Sequence, residues 1–191
     1  MEPERRRRPQ WLLDAERVDL AVYAAVAATP TPSLDRAMRD LSRAADHSFV
    51  WIGLAMAVAA GRGERGRKAA TTGLASTAVA SAMVNLAAKP LLRRHRPDRV
   101  ASKVPLARHV DMPASGSLPS GHAASAFAFA TGTSHVLHRE GAALRLLAAT
   151  VAYSRVHTGV HFPGDVIVGS LIGTVIAQTV TRRLDSRRGR T

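Results

Sequence analysis

The sequence lacks cysteine and is poor in aromatic residues, which make up 4% of its 191 residues. Without cysteine, a disulfide framework, a thiol nucleophile and a thiolate metal site are all excluded. Proteins that bind single-stranded nucleic acid usually interleave aromatic side chains with basic ones, and this sequence shows no such pattern. These absences exclude thiol chemistry and argue against nucleic acid as a partner.

Acidic residues are also scarce, because 14 Asp and Glu stand against 27 Lys and Arg and leave a formal net charge of +13. This imbalance predicts an anionic partner: nucleic acid, anionic lipid headgroups or a phosphorylated substrate. The basic residues form clusters at 5–8, 62–68, 89–99 and 182–190. The runs between them are almost free of charge, which is typical of loops between apolar spans rather than of a nucleic-acid-binding face.

Apolar stretches of helical length predict an all-α protein, and they cover residues 49–60, 69–88, 121–136, 144–153 and 166–180. The second stretch is free of charged side chains and matches the ~30 Å core of a bilayer. Abundant alanine suits close packing of helices in a membrane. The mean hydropathy of −0.03 is low for a membrane protein. Because the charges are segregated, we nevertheless predict an integral membrane bundle of five or six helices.

Three parts are expected along the chain. Residues 1–46 form a basic tail followed by amphipathic or interfacial helices, residues 47–181 a membrane-embedded domain, and residues 182–191 a basic cytoplasmic tail. We predict disorder for residues 1–10. Acidic residues within 14–19 interrupt what would be the apolar core of a signal peptide, so no cleavage is expected.

Residues 154–165 place a guanidinium, two imidazoles and a carboxylate directly before an apolar run. Pro163 and the glycine after it predict that His161 lies in a turn and that Asp165 is the N-cap of the next helix. A carboxylate beside a histidine can accept its ring N–H and leave the other nitrogen as a nucleophile or base. In the alternative interpretation Asp165 only caps the helix and Arg155 pairs with a carboxylate.

Two further segments carry polar groups next to apolar helices. Lys89 and Arg96 are candidate donors to phosphate oxygens, although cations are also common at helix C-termini. Ser120 can cap the following helix, and Gly121 lets an anion approach the free N–H groups there. His122, in the first turn, can protonate a leaving oxygen. As pure structure, the same residues form an ordinary turn and cap.

Together the three segments resemble the signature of the type 2 phosphatidic acid phosphatase and vanadium haloperoxidase superfamily: Lys-x6-Arg-Pro, Pro-Ser-Gly-His and Ser-Arg-x5-His-x3-Asp. Three motifs in the right order are far more specific than any one of them. The resemblance covers residues 47–181. Every motif position is matched, by Lys89, Arg96, Pro97, Pro119, Ser120, Gly121, His122, Ser154, Arg155, His161 and Asp165.

The resemblance implies a role for each of these polar residues. His161 is the nucleophile that becomes a phosphohistidine, Asp165 orients its imidazole, and His122 is the general acid. No metal or other cofactor is implied, because cations of the chain neutralise the phosphate. The residues expected to hold its oxygens are Lys89, Arg96, Ser120, Gly121 and Arg155.

The expected function is metal-independent hydrolysis of a membrane lipid phosphate: phosphatidic acid, phosphatidylglycerophosphate, or a polyprenyl phosphate or pyrophosphate. The expected partners are this substrate and the membrane, with no nucleic acid, and nothing in the sequence argues for a particular oligomer. Counts of Lys and Arg place the loops 62–68 and 138–145 in the cytoplasm and the active site on the extracytoplasmic side of the cell membrane. The richness in alanine and arginine is typical of a bacterium with a GC-rich genome.

Other interpretations remain open at this point. A soluble acid phosphatase or a vanadate-binding haloperoxidase can share the fold, and a basic membrane or nucleic-acid binding module needs no catalytic site. A zinc site at His157 and His161 is disfavoured, because the pair lies across a glycine and a turn.

Overall fold

The computed structural model describes residues 9–188, and within that range it consists of helices and loops without strands, as predicted. Most of the predicted disorder, at residues 1–8, lies outside the described residues, as does the end of the basic tail. Seven helices of ten residues or more are present among residues 9–188, compared with the five or six predicted. They are α1 Gln10–Ala28, α2 Pro32–Ala44, α3 Phe49–Gly61, α4 Gly63–Met83, α5 Gly121–Ser134, α6 Gly141–His157 and α7 Pro163–Arg188.

Helix α4 continues beyond its regular part into the first basic motif. A π-helical turn, Val84–Ala88, follows it, and a last α-helical turn, Lys89–Leu92, follows that. Arg93 ends the helix with a left-handed backbone, at φ 34°. The helix therefore extends four residues beyond the apolar stretch predicted at residues 69–88, and Lys89 is presented by a helix end. Widened turns of this kind frequently lie at functional sites.

Helix α5 is at the centre of the bundle and packs against α4, α6 and α7. Trp51 of α3 and Phe129 of α5 are both fully buried, with ring centroids 5.3 Å apart. Small residues bring the backbones of α5 and α7 together: a Cβ on Gly173 would clash with the carbonyl oxygen of Ala124. Only glycine fits at this crossing, which brings the beginning of α5 against α7.

The two N-terminal helices pack against the end of the bundle, where α1 contacts α6 and α7 and α2 contacts α6. The ring of Tyr23 in α1 contacts that of Phe162 edge-on at 5.3 Å, and its hydroxyl donates to the Gly159 carbonyl. Arg108, which is fully buried, donates to the carboxylate of Asp35 in α2 at 2.8 Å. A buried charge is tolerated only when paired in this way. The pair fixes α2 against the loop before α5, while the division of the chain at residue 46 stays a prediction.

In the described part of the chain, α7 is the one helix that is long and apolar enough to cross a membrane by itself. The successive helices α2 and α3, bent by 65°, qualify only if they are counted together as a broken span. The predicted span at residues 69–88 is not among the helices that qualify. Several large apolar side chains are nevertheless exposed on the outside of the bundle, including Phe49, Met56, Leu86, Ile167 and Leu171.

Candidate active site

The three motifs meet at one end of the bundle, around a cavity of about 200 Å³. Lys89, Arg96, Gly121, His122 and His161 all line this cavity. They come from the end of α4, the loop after it, the beginning of α5 and the turn before α7. The structure therefore brings together residues that are up to 72 positions apart in the sequence.

His161 lies in a turn, as predicted, and is buried, with only 1% of its surface exposed. Its Nε2 atom is 3.3 Å from NH1 of Arg96. Because an arginine can only donate, Nε2 must accept there, and the ring proton of the neutral form belongs on Nδ1. That Nδ1 lies 3.5 Å from Oδ2 of Asp165, close enough for electrostatic attraction but without an aligned hydrogen bond. Burial lowers the pKa of His161 from 6.5 to about 4, so the ring is neutral and Nε2 keeps its lone pair.

The predicted N-cap role of Asp165 is wrong, because α7 begins at Pro163 and makes Asp165 its third residue. Proline suits the first position of a helix, which explains the earlier start. The carboxylate reaches back instead, and Oδ2 accepts from the backbone N–H of Phe162 at 2.9 Å. Asp165 is fully buried, and Oδ1 accepts from NH1 of Arg94 at 2.8 Å.

Arg94 and Asp19 belong to this arrangement but were not predicted from the sequence. NH2 of Arg94 donates to Oδ2 of Asp19 at 2.6 Å, and its guanidinium lies 4.2 Å from the ring centroid of Phe162. Oδ1 of Asp19 accepts from the backbone N–H of Gly164 at 2.6 Å. Arg94 thus bridges Asp165 and a carboxylate of α1. The available signals were an acidic residue among the apolar residues of α1 and an extra arginine inside the first motif.

Hydrogen bonds to the neighbouring loops position the two cations of the first motif. Arg96 donates from Nε to the Ser115 carbonyl at 2.9 Å, from NH1 to the Val160 carbonyl at 2.8 Å and from NH2 to the Gly116 carbonyl at 3.3 Å. Lys89 donates from Nζ to the hydroxyl of Ser115 at 3.2 Å. Burial lowers the pKa of Arg96, but a guanidinium remains charged in proteins. The cations are therefore fixed at the cavity wall before a ligand binds.

His122 pairs with a carboxylate that no motif contains. Its Nε2 lies 2.7 Å from Oδ1 of Asp46, in the turn between α2 and α3. NH1 of Arg155 lies 3.5 Å from the same oxygen and donates to the hydroxyl and carbonyl of Ser42. Arg155 is 1% exposed, and its Nε has no hydrogen-bond partner among the described residues. Arg155 is not among the residues that line the cavity, although its Nε is a buried donor without a partner in the described part of the chain.

The two residues that follow Asp46 have left-handed backbones, with φ 53° at His47 and 64° at Ser48, and both line the cavity. Such conformations are costly for residues other than glycine and concentrate at functional sites. This turn is a further element of the site that the sequence motifs do not include.

The beginning of α5 forms another wall. Ser120 is the N-cap, as predicted: its hydroxyl accepts from the backbone N–H of Ala123 at 3.4 Å, and its own N–H donates to the carbonyl of Asp165 at 2.9 Å. A Cβ on Gly121 would lie 3.7 Å from Nζ of Lys89. The N-terminus of α5 therefore adjoins the cations, and both favour an anion there.

His157 belongs to a different cluster, because its Nε2 lies 2.9 Å from Oδ1 of Asp35. The disfavoured zinc pair with His161 is therefore not formed. Within residues 9–188, no three His, Asp or Glu side chains are grouped so that they could hold a metal ion. Independence from metal stays a prediction, which chelation can test.

A buried neutral imidazole, a second imidazole and fixed cations around one cavity are groups suited to binding and transferring phosphate. The chain belongs to the PAP2 superfamily, whose sequence model matches residues 70–188. This confirms the family that the three motifs resemble, and it supports a phosphatase.

Two named relatives match the sequence of this chain over most of its length. The decaprenylphosphoryl-5-phosphoribose phosphatase of Mycobacterium tuberculosis H37Rv is 36% identical over 171 residues, which cover 87% of this chain and 90% of that protein. The protein of the same name from Mycolicibacterium smegmatis is 34% identical over 158 residues, with coverages of 82% and 83%.

Two solved structures share the fold. LpxE of Aquifex aeolicus has a TM-score of 0.65 and 25% identity, and the match covers 86% of this chain and 95% of LpxE. The transmembrane PAP2 type phosphatidylglycerolphosphate phosphatase of Bacillus subtilis has a TM-score of 0.70 and 21% identity, with coverages of 91% and 87%. These likenesses support the fold, and α7 is a candidate membrane span by its length and composition.

Proposed function

We propose that this protein hydrolyses a phosphate monoester carried by a membrane lipid, with His161 as the nucleophile. The observation that carries the proposal is the shared cavity: His161, His122, Lys89 and Arg96 all line it. A nucleophile, a proton donor and two fixed cations are the groups that transfer of a phosphoryl group requires.

The reaction has two steps. Nε2 of His161 attacks phosphorus, and the bond from phosphorus to the leaving oxygen breaks as the N–P bond forms. The protonated His122 gives its proton to that oxygen, so the lipid leaves as an alcohol. Water then attacks the phosphohistidine, His122 accepts a proton from the water, and inorganic phosphate leaves as Nε2 regains its lone pair.

Residues around the site stabilise the charges that develop during the two steps. The Asp165 carboxylate, 3.5 Å from Nδ1, stabilises the positive charge that the ring of His161 acquires on attack. Lys89 and Arg96 neutralise the phosphate oxygens, and the unpartnered Nε of Arg155 adds a further donor. The Gly121 backbone at the beginning of α5 and Ser120 complete the anion site.

The proposed substrate is a polyprenylphosphoryl sugar phosphate. Two named relatives above 30% identity, matched over more than 80% of both chains, are decaprenylphosphoryl-5-phosphoribose phosphatases. We rank phosphatidic acid, phosphatidylglycerophosphate, and polyprenyl phosphates and pyrophosphates behind it. We place the site on the extracytoplasmic side of the membrane, because the most basic short loops would then lie in the cytoplasm.

The test is phosphate release by detergent-purified protein from each of these lipids, with and without EDTA. We expect chelator-resistant release, fastest from the polyprenylphosphoryl sugar phosphate, and its loss in His161→Ala. His138→Ala is the matched control, because His138 is exposed in the turn before α6, and it should keep full activity. Release by His161→Ala at a rate near that of the wild type would overturn the proposed mechanism.

A further inference from the structure

A second groove, of about 430 Å³, opens beside the catalytic cavity. The two share Lys89, Arg96 and Pro113, so the same cations form the wall between them. The rest of the groove is lined by residues 93–95 and 112–116. These include two further arginines and a histidine, and no carboxylate lines the groove among the described residues. The groove therefore continues the positive potential of the catalytic cavity outward.

Hydrogen bonds fix the two walls of this groove relative to each other. The backbone N–H of Ser117 donates to the carbonyl of Arg94 at 2.9 Å, and its hydroxyl donates to the carbonyl of His95 at 2.9 Å. NH2 of Arg96 donates to the carbonyl of Gly116 at 3.3 Å. These hydrogen bonds hold the two walls of the groove in one arrangement.

The two added arginines differ in what they already bind. Arg94 is committed to Asp165 and Asp19. Arg93 donates from Nε to the carbonyl of Pro90 at 3.1 Å, and among residues 9–188 no carboxylate pairs with it. Its positive charge is therefore not neutralised by an ion pair, and its side chain is exposed on the groove.

We propose that this groove binds a second, unreacted phosphate of the substrate: the phosphodiester that joins the sugar to the lipid. The inference rests on the proposed function, since the monoester must occupy the catalytic cavity at the same time. Arg93 is the principal donor to the diester, with His95 beside it. The shared Lys89 and Arg96 lie between the two phosphates, where each negative charge is stabilised.

Two exposed apolar side chains next to Arg93 in the sequence offer a surface to the lipid chain. Leu91 and Leu92, directly before Arg93, are 80% and 48% exposed. A chain attached to a diester at Arg93 meets these side chains first, and burial of apolar surface between them favours binding. Selectivity for a lipid with two phosphates follows, because a lipid with one phosphate fills the catalytic cavity and leaves the groove empty.

The experiment measures binding of a product analogue, farnesylphosphoryl ribose, which keeps the diester but has no monoester. Its dissociation constant is determined by calorimetry in neutral detergent for wild type, Arg93→Ala and Arg67→Ala. Arg67 is exposed near the beginning of α4 and provides a matched loss of one charge. We expect about tenfold weaker binding for Arg93→Ala, the loss typical of one charge-assisted hydrogen bond. Binding by Arg67→Ala should equal that of wild type.

Equal affinity of wild type and Arg93→Ala, or equal weakening by Arg67→Ala, would overturn the proposal. Phosphatidylglycerol is the competing arm, because it supplies a lipid phosphodiester without the sugar. Its displacement of the analogue at equal concentration would show a general site for anionic lipids and overturn the assignment to substrate. The measurement needs no turnover, so a failure of the groove is distinguishable from a failure of the phosphatase activity.

Discussion

Oδ1 of Asp46 lies 2.7 Å from Nε2 of His122 and 3.5 Å from NH1 of Arg155. One carboxylate thus faces both the proposed general acid and a proposed phosphate ligand. Burial lowers the pKa of His122, and the negative charge of Asp46 opposes that shift by favouring the protonated imidazole, the form that a general acid needs. It also leaves Nδ1 of His122 as the nitrogen available to the leaving group.

Asp46→Asn should lower kcat for a lipid alkyl phosphate by about 10- to 100-fold, because burial already lowers the pKa of His122 and the amide removes the charge that opposes this shift. The loss should be much smaller for p-nitrophenyl phosphate, whose leaving group departs without a proton. The measurement is kcat for both substrates across pH.

Asp40→Asn is the matched control for this prediction. Asp40 is an exposed carboxylate of α2 that pairs with Arg39, so its variant should keep wild-type rates. Equal losses of Asp46→Asn on the alkyl and the p-nitrophenyl substrate would show that Asp46 does not act through proton transfer.

Arg94→Ala should lower kcat by about 10- to 100-fold, because Asp165 loses the charged partner that holds it beside His161. Arg94→Lys should rescue little, since a single ammonium cannot bridge two carboxylates as the guanidinium fork does. Steady-state kinetics of both variants, with Arg67→Ala as the control for charge, provide the check. A kcat near that of wild type for Arg94→Ala would remove Arg94 from the catalytic arrangement.

Acidification should destabilise the fold through His161. Burial lowers its pKa in the folded state to about 4, whereas the unfolded chain takes up the proton near pH 6.5. Between these values the unfolded state binds more protons, so stability is lost as the pH falls, by at most about 3 kcal/mol. Thermal unfolding of wild type and His161→Gln from pH 7 to pH 4 should show a steeper loss for wild type. Parallel curves would mean that His161 is not buried in its neutral form.

Five of the eight predicted site residues line the cavity, and Ser120, Arg155 and Asp165 do not. Pro163 and Gly164 mark the turn that holds His161, and Ser120 before a run of small residues marks the N-terminus of α5. These local signals also fit an ordinary turn and cap, so the cavity's side chains were named only by the three motifs together. The local signals did not reveal where α7 begins, since proline at the first helical position competes with Asp165 as the signal for the start.

The carboxylates that complete the site were beyond such signals. Asp19 pairs with Arg94, and Asp46 pairs with His122, each across more than 70 positions of the sequence. A single acidic residue has no spacing pattern that would reveal such a distant partner. Only the packing of α1 against α7, and of the turn after α2 against α5, creates these pairs. Helices α1 and α2 lie within residues 1–46, where amphipathic or interfacial helices were predicted, but their own sequences did not show that they pack against the rest of the bundle.

The most direct test of the account is to trap the phosphoenzyme. Purified protein is mixed with substrate labelled with ³²P at the monoester and quenched within milliseconds in alkali, where phosphohistidine survives and phosphate esters of serine do not. We predict labelled wild-type protein, with the label on the peptide that contains His161, and no label on His161→Ala. Turnover by wild type without any trapped label, or a label that persists in His161→Ala, would contradict nucleophilic attack by His161.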